Sequence, residues 1–125
     1  MEKIIVEIEG NKFETTEKLT LGQIQYLAGV LRTLLSDSVA LSENMGFDFI
    51  LKMYELGLVG KIIAGILIPA GGKFNETSLK YLESKVSELD GEIQKRIVEY
   101  FFQNTLKQAI NYIPFFPVNQ GAVGQ

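Results

Sequence analysis

The feature that most constrains this chain is the apolar run Leu56–Ala70, which carries a single charged residue, Lys61. Crossing a bilayer takes a helix of about 20 apolar residues, and this run is shorter and is closed by Pro69 and Gly71-Gly72. We therefore interpret it as an element buried in the core of the domain rather than as a membrane span. A buried helix is our first interpretation. A strand over part of 61–68 is the alternative, because glycine and isoleucine lower helix propensity.

Small residues within this run favour close packing against a neighbouring element. Gly60, Ala64 and Gly65 would leave room for another helix. The larger side chains are predicted to fill the centre of the domain: Ile62, Ile63, Ile66 and Leu67.

The N-terminal residues have the pattern of a β-hairpin. Apolar and polar residues alternate over 3–9, Gly10-Asn11 can turn the chain, and 12–16 alternate again as a returning strand. Two strands are marginal on their own in water. The hairpin must therefore lie on the helices that follow or on a neighbouring subunit.

Thr20 and Gln23 form a capping-box pattern that predicts a helix beginning at Leu21. We expect Gln23 to lie away from the centre of the apolar stripe of this helix. The stripe itself comprises Leu21, Ile24, Leu27, Ala28, Leu31, Leu34 and Leu35.

Three further helices are predicted after the first helix and around the apolar run. They cover 43–56, where Gly57 is a stop signal, then Asn75 to Leu89, with Asn75 as the cap, and about 92–113. The inner face of the 43–56 helix is predicted to carry Phe47, Ile50, Leu51 and Tyr54.

The predicted fold class is α+β, mainly α, with a two-stranded N-terminal hairpin followed by about five helices. With 125 residues, the chain fits one domain over 1–113 and an extended tail over 114–125. From Gln108 to Gln125 there is no charged side chain, and two prolines stiffen the apolar part around Phe115 and Phe116. This segment either folds back onto the domain's own helices or binds a partner groove or a neighbouring copy of the chain.

The composition excludes most familiar catalytic sites. There is no cysteine and no histidine, which removes thiolate and imidazole chemistry and the commonest transition-metal ligands. No phosphate-binding loop is present. The carboxylate pairs Glu7 with Glu14 and Glu83 with Glu88 are interpreted as solvated surface charge. We therefore expect no enzyme, no cofactor and no metal site.

The charge pattern and the N-terminus indicate the surroundings in which the chain works. A formal net charge of −3, with both signs interleaved, argues against binding of nucleic acid. The first residues lead directly into the predicted strand, without the apolar stretch of a signal peptide. We expect a cytoplasmic protein that does not bind membranes.

The order of these parts resembles a known family. The hairpin at 4–13, the helix entry Leu19-Thr20-Leu21-Gly22-Gln23 and the passage from helix to loop at 64–74 are similar to those of the tail assembly chaperones of long-tailed bacteriophages. The resemblance covers roughly 2–113, and the uncharged end at 114–125 departs from it. It implies a small, mainly helical, non-enzymatic protein of the bacterial host's cytoplasm that binds the hydrophobic, helical tape measure protein.

A chaperone of this kind needs adaptable apolar surface and no titratable site. We expect the protein client as partner, together with self-association. The candidate residues of the client surface are Phe47, Met53, Tyr54, Phe101, Phe102, Phe115 and Phe116. Two alternatives stay open: a structural tail or connector subunit of a phage particle, and a small-molecule-binding helical domain built around 56–68.

Overall fold

A computed structural model of the chain describes residues 2–36 and 46–112, and within these ranges it places a small antiparallel sheet beside a set of helices. The N-terminal hairpin and the mainly helical remainder are as predicted, and the tail at 114–125 lies outside the described residues. The elements are β1 (Ile5–Ile8), β2 (Asn11–Thr15), α1 (Leu21–Ser36), α2 (Gly46–Glu55), α3 (Val59–Ile66), β3 (Leu67–Pro69), α4 (Glu76–Lys85), α5 (Gly91–Tyr100) and α6 (Leu106–Tyr112).

The apolar run forms a helix and a strand in succession. α3 ends at Ile66, and the chain continues at once into β3, which pairs antiparallel with β2. The backbone N–H of Thr16 donates to the carbonyl of Ile66 at 3.0 Å, and Thr15 lies opposite Leu67. Each of the two interpretations of this run is therefore correct for one part of it. The hairpin therefore pairs with β3 as well as packing on the helices, and the strand order of the sheet is β1-β2-β3.

The turn between β1 and β2 consists of Glu9 and Gly10. Their φ angles are 51° and 85°, which is the left-handed conformation that a two-residue type I′ turn requires. Ile8 and Asn11 form the closing pair of the ladder. Glycine adopts this conformation at little cost, whereas Glu9 needs support from its surroundings.

The capping box at the start of α1 forms as predicted, but the orientation predicted for the helix is partly wrong. The N–H of Thr20 donates to Oε1 of Gln23 at 3.0 Å, and the N–H of Gln23 donates to Oγ1 of Thr20 at 3.3 Å. Gln23 is fully buried, whereas Leu21 is 63% exposed. The interior accepts the amide because its Nε2 donates to Oγ1 of Thr16 at 2.9 Å and to the carbonyl of Gly65 at 3.1 Å.

Close packing between α1 and α3 centres on Gly65. A Cβ atom at this position would lie 2.8 Å from Cδ2 of Leu27 and 2.9 Å from the ring of Tyr26. The predicted role of this glycine as a packing site is confirmed. The side chains predicted to fill the centre of the domain are all fully buried: Ile62, Ile63, Ile66 and Leu67.

The C-terminal part of the described chain is one long helix with an irregular middle. α5 begins after Asp90, whose Oδ2 accepts the N–H of Glu92 at 3.1 Å, and a π-helical segment at Phe101–Thr105 joins it to α6. Nε2 of Gln108 donates to the carbonyl of Glu17 at 2.8 Å, which fixes α6 to the linker before α1.

α4 is shorter than the predicted helix. Asn75 caps it as expected, with its Oδ1 accepting the N–H of Ser78 at 2.8 Å. The α-helix ends at Lys85, and the residues up to Glu88 form a 3-10 turn.

Candidate functional site

The exposed face of α2 differs from the predicted one. Leu51 and Tyr54, expected on the inner face, are 43% and 51% exposed, whereas Met53 is fully buried. Because all three side chains are apolar or aromatic, hydropathy alone does not fix the rotation of this helix. The result is a patch formed by Leu51 and Tyr54, which lie three residues apart and so share one side of α2.

Gly57 ends α2 and directs the chain into α3. Its φ is 70°, its N–H donates to the carbonyl of Tyr54 at 3.1 Å, and the N–H of Leu58 donates to the carbonyl of Met53 at 2.9 Å. These two bonds are the pattern of a Schellman motif, so the stop predicted at Gly57 is confirmed. The motif leaves Leu56 partly exposed and buries Leu58.

Next to this patch lies an open groove of about 700 Å³, which we call the Tyr54 groove. Its floor is formed by Val59 and Ile63 of α3 and by Val86 of the 3-10 turn, all of which are buried. Tyr54 lines the groove from α2 and so joins it to the exposed patch. The exposed apolar patch therefore borders a groove of mixed lining, which also includes the polar side chains of Ser87 and Gln94.

Charged side chains of opposite sign border the Tyr54 groove. Lys61 and Glu83 both line it. Oε2 of Glu83 accepts a hydrogen bond of 2.7 Å from the hydroxyl of Tyr26 on α1. Partial burial, together with this bond to the carboxylate, raises the pKa of Tyr26 well above its ordinary value. The Tyr26 hydroxyl therefore stays protonated at neutral pH and holds the carboxylate at the rim.

The other candidate residues of the client surface are placed differently. Met53 and Phe101 are fully buried, so the proposal that they contact a client is corrected: both belong to the core. Phe102 is partly buried and contacts Phe101 edge to face, with ring centroids 5.6 Å apart. The backbone of Phe47 lies in α2, but its side chain, like Phe115 and Phe116, lies outside the described part.

The Tyr54 groove could not be found from the sequence, because its lining comes from separate elements. Tyr54 was identified as an aromatic residue on α2, but Lys61 and Glu83 reach the groove only through the packing of α3 against α4. Their spacing in the sequence carries no signal of this proximity.

Three of the four carboxylates considered for acid-base chemistry, Glu14, Glu83 and Glu88, contact other side chains. Glu14 lies 3.3 Å from Nζ of Lys3, and Glu7 is opposite Lys12 in the β1-β2 register. Glu88 lies 3.9 Å from Nζ of Lys85.

Two other kinds of site are absent from residues 2–36 and 46–112. Acidic side chains in these ranges form no group of three that could hold a metal ion. Over the same residues no helix combines the length and the apolar character needed to span a bilayer.

Compared with known proteins, the chain matches no family model, no curated protein and no solved structure. Function is therefore inferred from the residues and geometry of the Tyr54 groove and from the layout of the chain.

Proposed function

We propose that this chain is a non-catalytic tail assembly chaperone of a long-tailed bacteriophage, and that it binds apolar helical segments of the tape measure protein. The observation that carries the proposal is the exposed apolar patch of Leu51 and Tyr54 at the edge of the Tyr54 groove. Contiguous exposed apolar surface marks interaction sites in soluble proteins.

The size of the Tyr54 groove suits side chains from one face of a helix. An amphipathic helix docks by placing residues at i, i+3, i+4 and i+7 into an apolar groove. About 700 Å³ above Val59, Ile63 and Val86 has room for several such side chains. The helix backbone would lie over the opening, beside Leu51 and Tyr54.

The charged residues at the rim of the groove favour a client helix that carries charges of both signs over a purely apolar one. Lys61 and Glu83 can pair with opposite charges at the flanks of the docked helix, which gives orientation more than affinity. Tyr54 offers a ring for apolar contact and a hydroxyl at the wet edge.

The assignment to tail assembly chaperones depends on the resemblance in layout. The hairpin, the capped entry into α1 and the passage from α3 through Pro69 to the loop before α4 are the parts in which the layout resembles that family, and each is formed in the structure.

Co-expression with the tape measure protein of the same genome tests the proposal. We expect the tape measure protein to be soluble and to co-purify with the wild-type chain, and to be mostly insoluble when expressed alone. Tyr54→Gln should lower the soluble fraction, whereas Leu21→Gln, at an exposed leucine that does not line the groove, should leave it unchanged. A tape measure protein that stays soluble alone and never co-purifies would refute the proposal.

A structural tail or connector subunit is the second candidate, because no strand among the described residues pairs with the outer edge of β1, which another chain could cover. Mass spectrometry of purified phage particles distinguishes the two functions. An assembly chaperone is absent from the finished particle, whereas a structural subunit is present.

A further inference from the structure

The two edges of the sheet are not equivalent. The edge formed by β3 contains Pro69, which lies opposite Phe13. The flanking bonds, from Thr16 N–H to Ile66 O and from Ala70 N–H to Lys12 O, show that this is a pair without hydrogen bonds, so the nitrogen of Pro69 points away from β2. Proline has no donor to offer there, and the β3 edge is blocked to further strands.

The edge formed by β1 has no such block. The N–H of Thr15 donates to the carbonyl of Ile4 at 3.0 Å, so the backbone groups of Ile4, Val6 and Ile8 face β2. By alternation, the N–H and carbonyl groups of Ile5 and Glu7 face outward. No strand among the described residues pairs with this side of β1.

The side chains on the solvent-exposed face of β1 would complement those of a second copy of the same strand. Lys3, which lies two residues before β1, is exposed, as are Ile5 and Glu7 of β1, and Ile5 is 60% exposed. When two such strands run antiparallel with Ile5 opposite Ile5, Lys3 of each lies opposite Glu7 of the other. This register also aligns the outward-facing backbone groups of both strands.

We propose that β1 is a homodimer interface, in which a second copy of this chain adds its own β1 antiparallel at the open edge. We infer a second copy as the occupant because the antiparallel pairing forms two Lys3–Glu7 ion pairs and places the exposed Ile5 side chains of both copies against each other. The alternative register centred on Val6 places Ile5 opposite Glu7 and Lys3 opposite Glu9. That register is disfavoured because it places the apolar side chain of Ile5 opposite a carboxylate and needs Glu9, which is bound by both Tyr81 and Lys85. The register centred on Ile5 asks only the exposed ion pair of Lys3 with Glu14 to be shared. The resulting sheet is continuous across both copies, and its formation is independent of any client.

Two charge reversals and their mixture test this register. Lys3→Glu alone gives two Glu–Glu pairs across the interface, and Glu7→Lys alone gives two Lys–Lys pairs. Mixing the two variants gives a heterodimer in which both pairs are again of opposite sign. In sedimentation velocity, the wild type should dimerise, each variant alone should dimerise about tenfold more weakly, and the equimolar mixture should regain the wild-type affinity.

Controls separate this interface from other effects. Glu14→Gln removes the ion pair of Lys3 within its own chain and should leave dimerisation unchanged. Leu51→Gln changes the exposed patch of α2 and should also have no effect, and thermal unfolding of every variant checks that the fold is kept. A monomeric wild type, a dimer insensitive to both reversals, a mixture that fails to recover, or a dimer weakened by Leu51→Gln would overturn the proposal.

Discussion

The hydroxyl of Tyr81 on α4 donates a hydrogen bond of 2.5 Å to Oε1 of Glu9 in the hairpin turn. Nζ of Lys85, one helical turn further along α4, lies 3.0 Å from Oε2 of the same carboxylate. Glu9 has a φ of 51°, which is unfavourable for a residue other than glycine. The helix thus holds the turn in a conformation that Glu9 would not prefer alone, and joins the sheet to α4.

This contact predicts a loss of stability in acid. The hydrogen bond from Tyr81, followed by the bond from Lys85, lowers the pKa of Glu9 below its ordinary value of 4.5. A lowered pKa in the folded state contributes stability above the unfolded pKa, and the contribution is lost as the pH falls through the folded pKa. The free energy of unfolding of the wild type should therefore exceed that of Tyr81→Phe at pH 7, and the difference should shrink below about pH 4.5.

Tyr81→Phe is a suitable variant because it removes only the hydroxyl group. The ring can keep its stacking on Phe13, where the centroids are 6.0 Å apart. Urea unfolding at a series of pH values from 7 to 3 measures the difference. A difference that stays constant over this range would show that the hydroxyl does not act through the Glu9 carboxylate.

The buried hydrogen bonds of the Gln23 amide should contribute measurably to stability. Its amide joins α1 to Thr16 and to the carbonyl of Gly65 at the end of α3. Gln23→Ala should lower the free energy of unfolding by about 1–3 kcal/mol, because it leaves buried groups without partners. Gln25→Ala, at an exposed position of the same helix, should change it by less than about 0.5 kcal/mol. Equal effects of the two substitutions in urea unfolding would contradict the role assigned to the amide.

Replacing a glycine within a helix by alanine usually stabilises a protein, but at Gly65 we expect the opposite. Gly65→Ala should destabilise the protein by about 1–3 kcal/mol, because the new methyl group would overlap Leu27 and Tyr26. Gly29→Ala, on α1 where a Cβ would meet nothing within 4 Å, should stabilise it by about 0.4–1 kcal/mol. Thermal unfolding of both variants checks the pair. An increase in Tm for Gly65→Ala would show that α1 and α3 are not closely packed there.

Local patterns were enough to predict much of the fold. The alternation over 3–9 and the two capping signals at Thr20 and Asn75 depend on residues close in sequence, and each forms the expected element. The apolar run was predicted to be buried, and it is. Its division into α3 and β3 was not predictable, since a strand of three residues is too short to show alternation.

The remaining differences come from tertiary contacts. The position of Gln23 in the core depends on the carbonyl of Gly65, which is distant in the sequence. The rotation of α2, which buries Met53 and exposes Tyr54, depends on packing that hydropathy does not encode. For the same reason, the sequence pattern does not distinguish aromatic residues at a client surface from those, such as Phe101, that belong to the core.

The most direct test of the account is the affinity of the chain for one labelled apolar helical segment of the tape measure protein. Fluorescence anisotropy should show binding to the wild type, and the double variant Leu51→Gln/Tyr54→Gln should weaken it roughly tenfold or more, because truncating central anchors of an interface has effects of this size. Leu21→Gln, the exposed control on α1, should bind as the wild type does. Equal affinity of the wild type and the double variant, or no binding by the wild type, would contradict the claim that this protein works through the α2 patch and the Tyr54 groove.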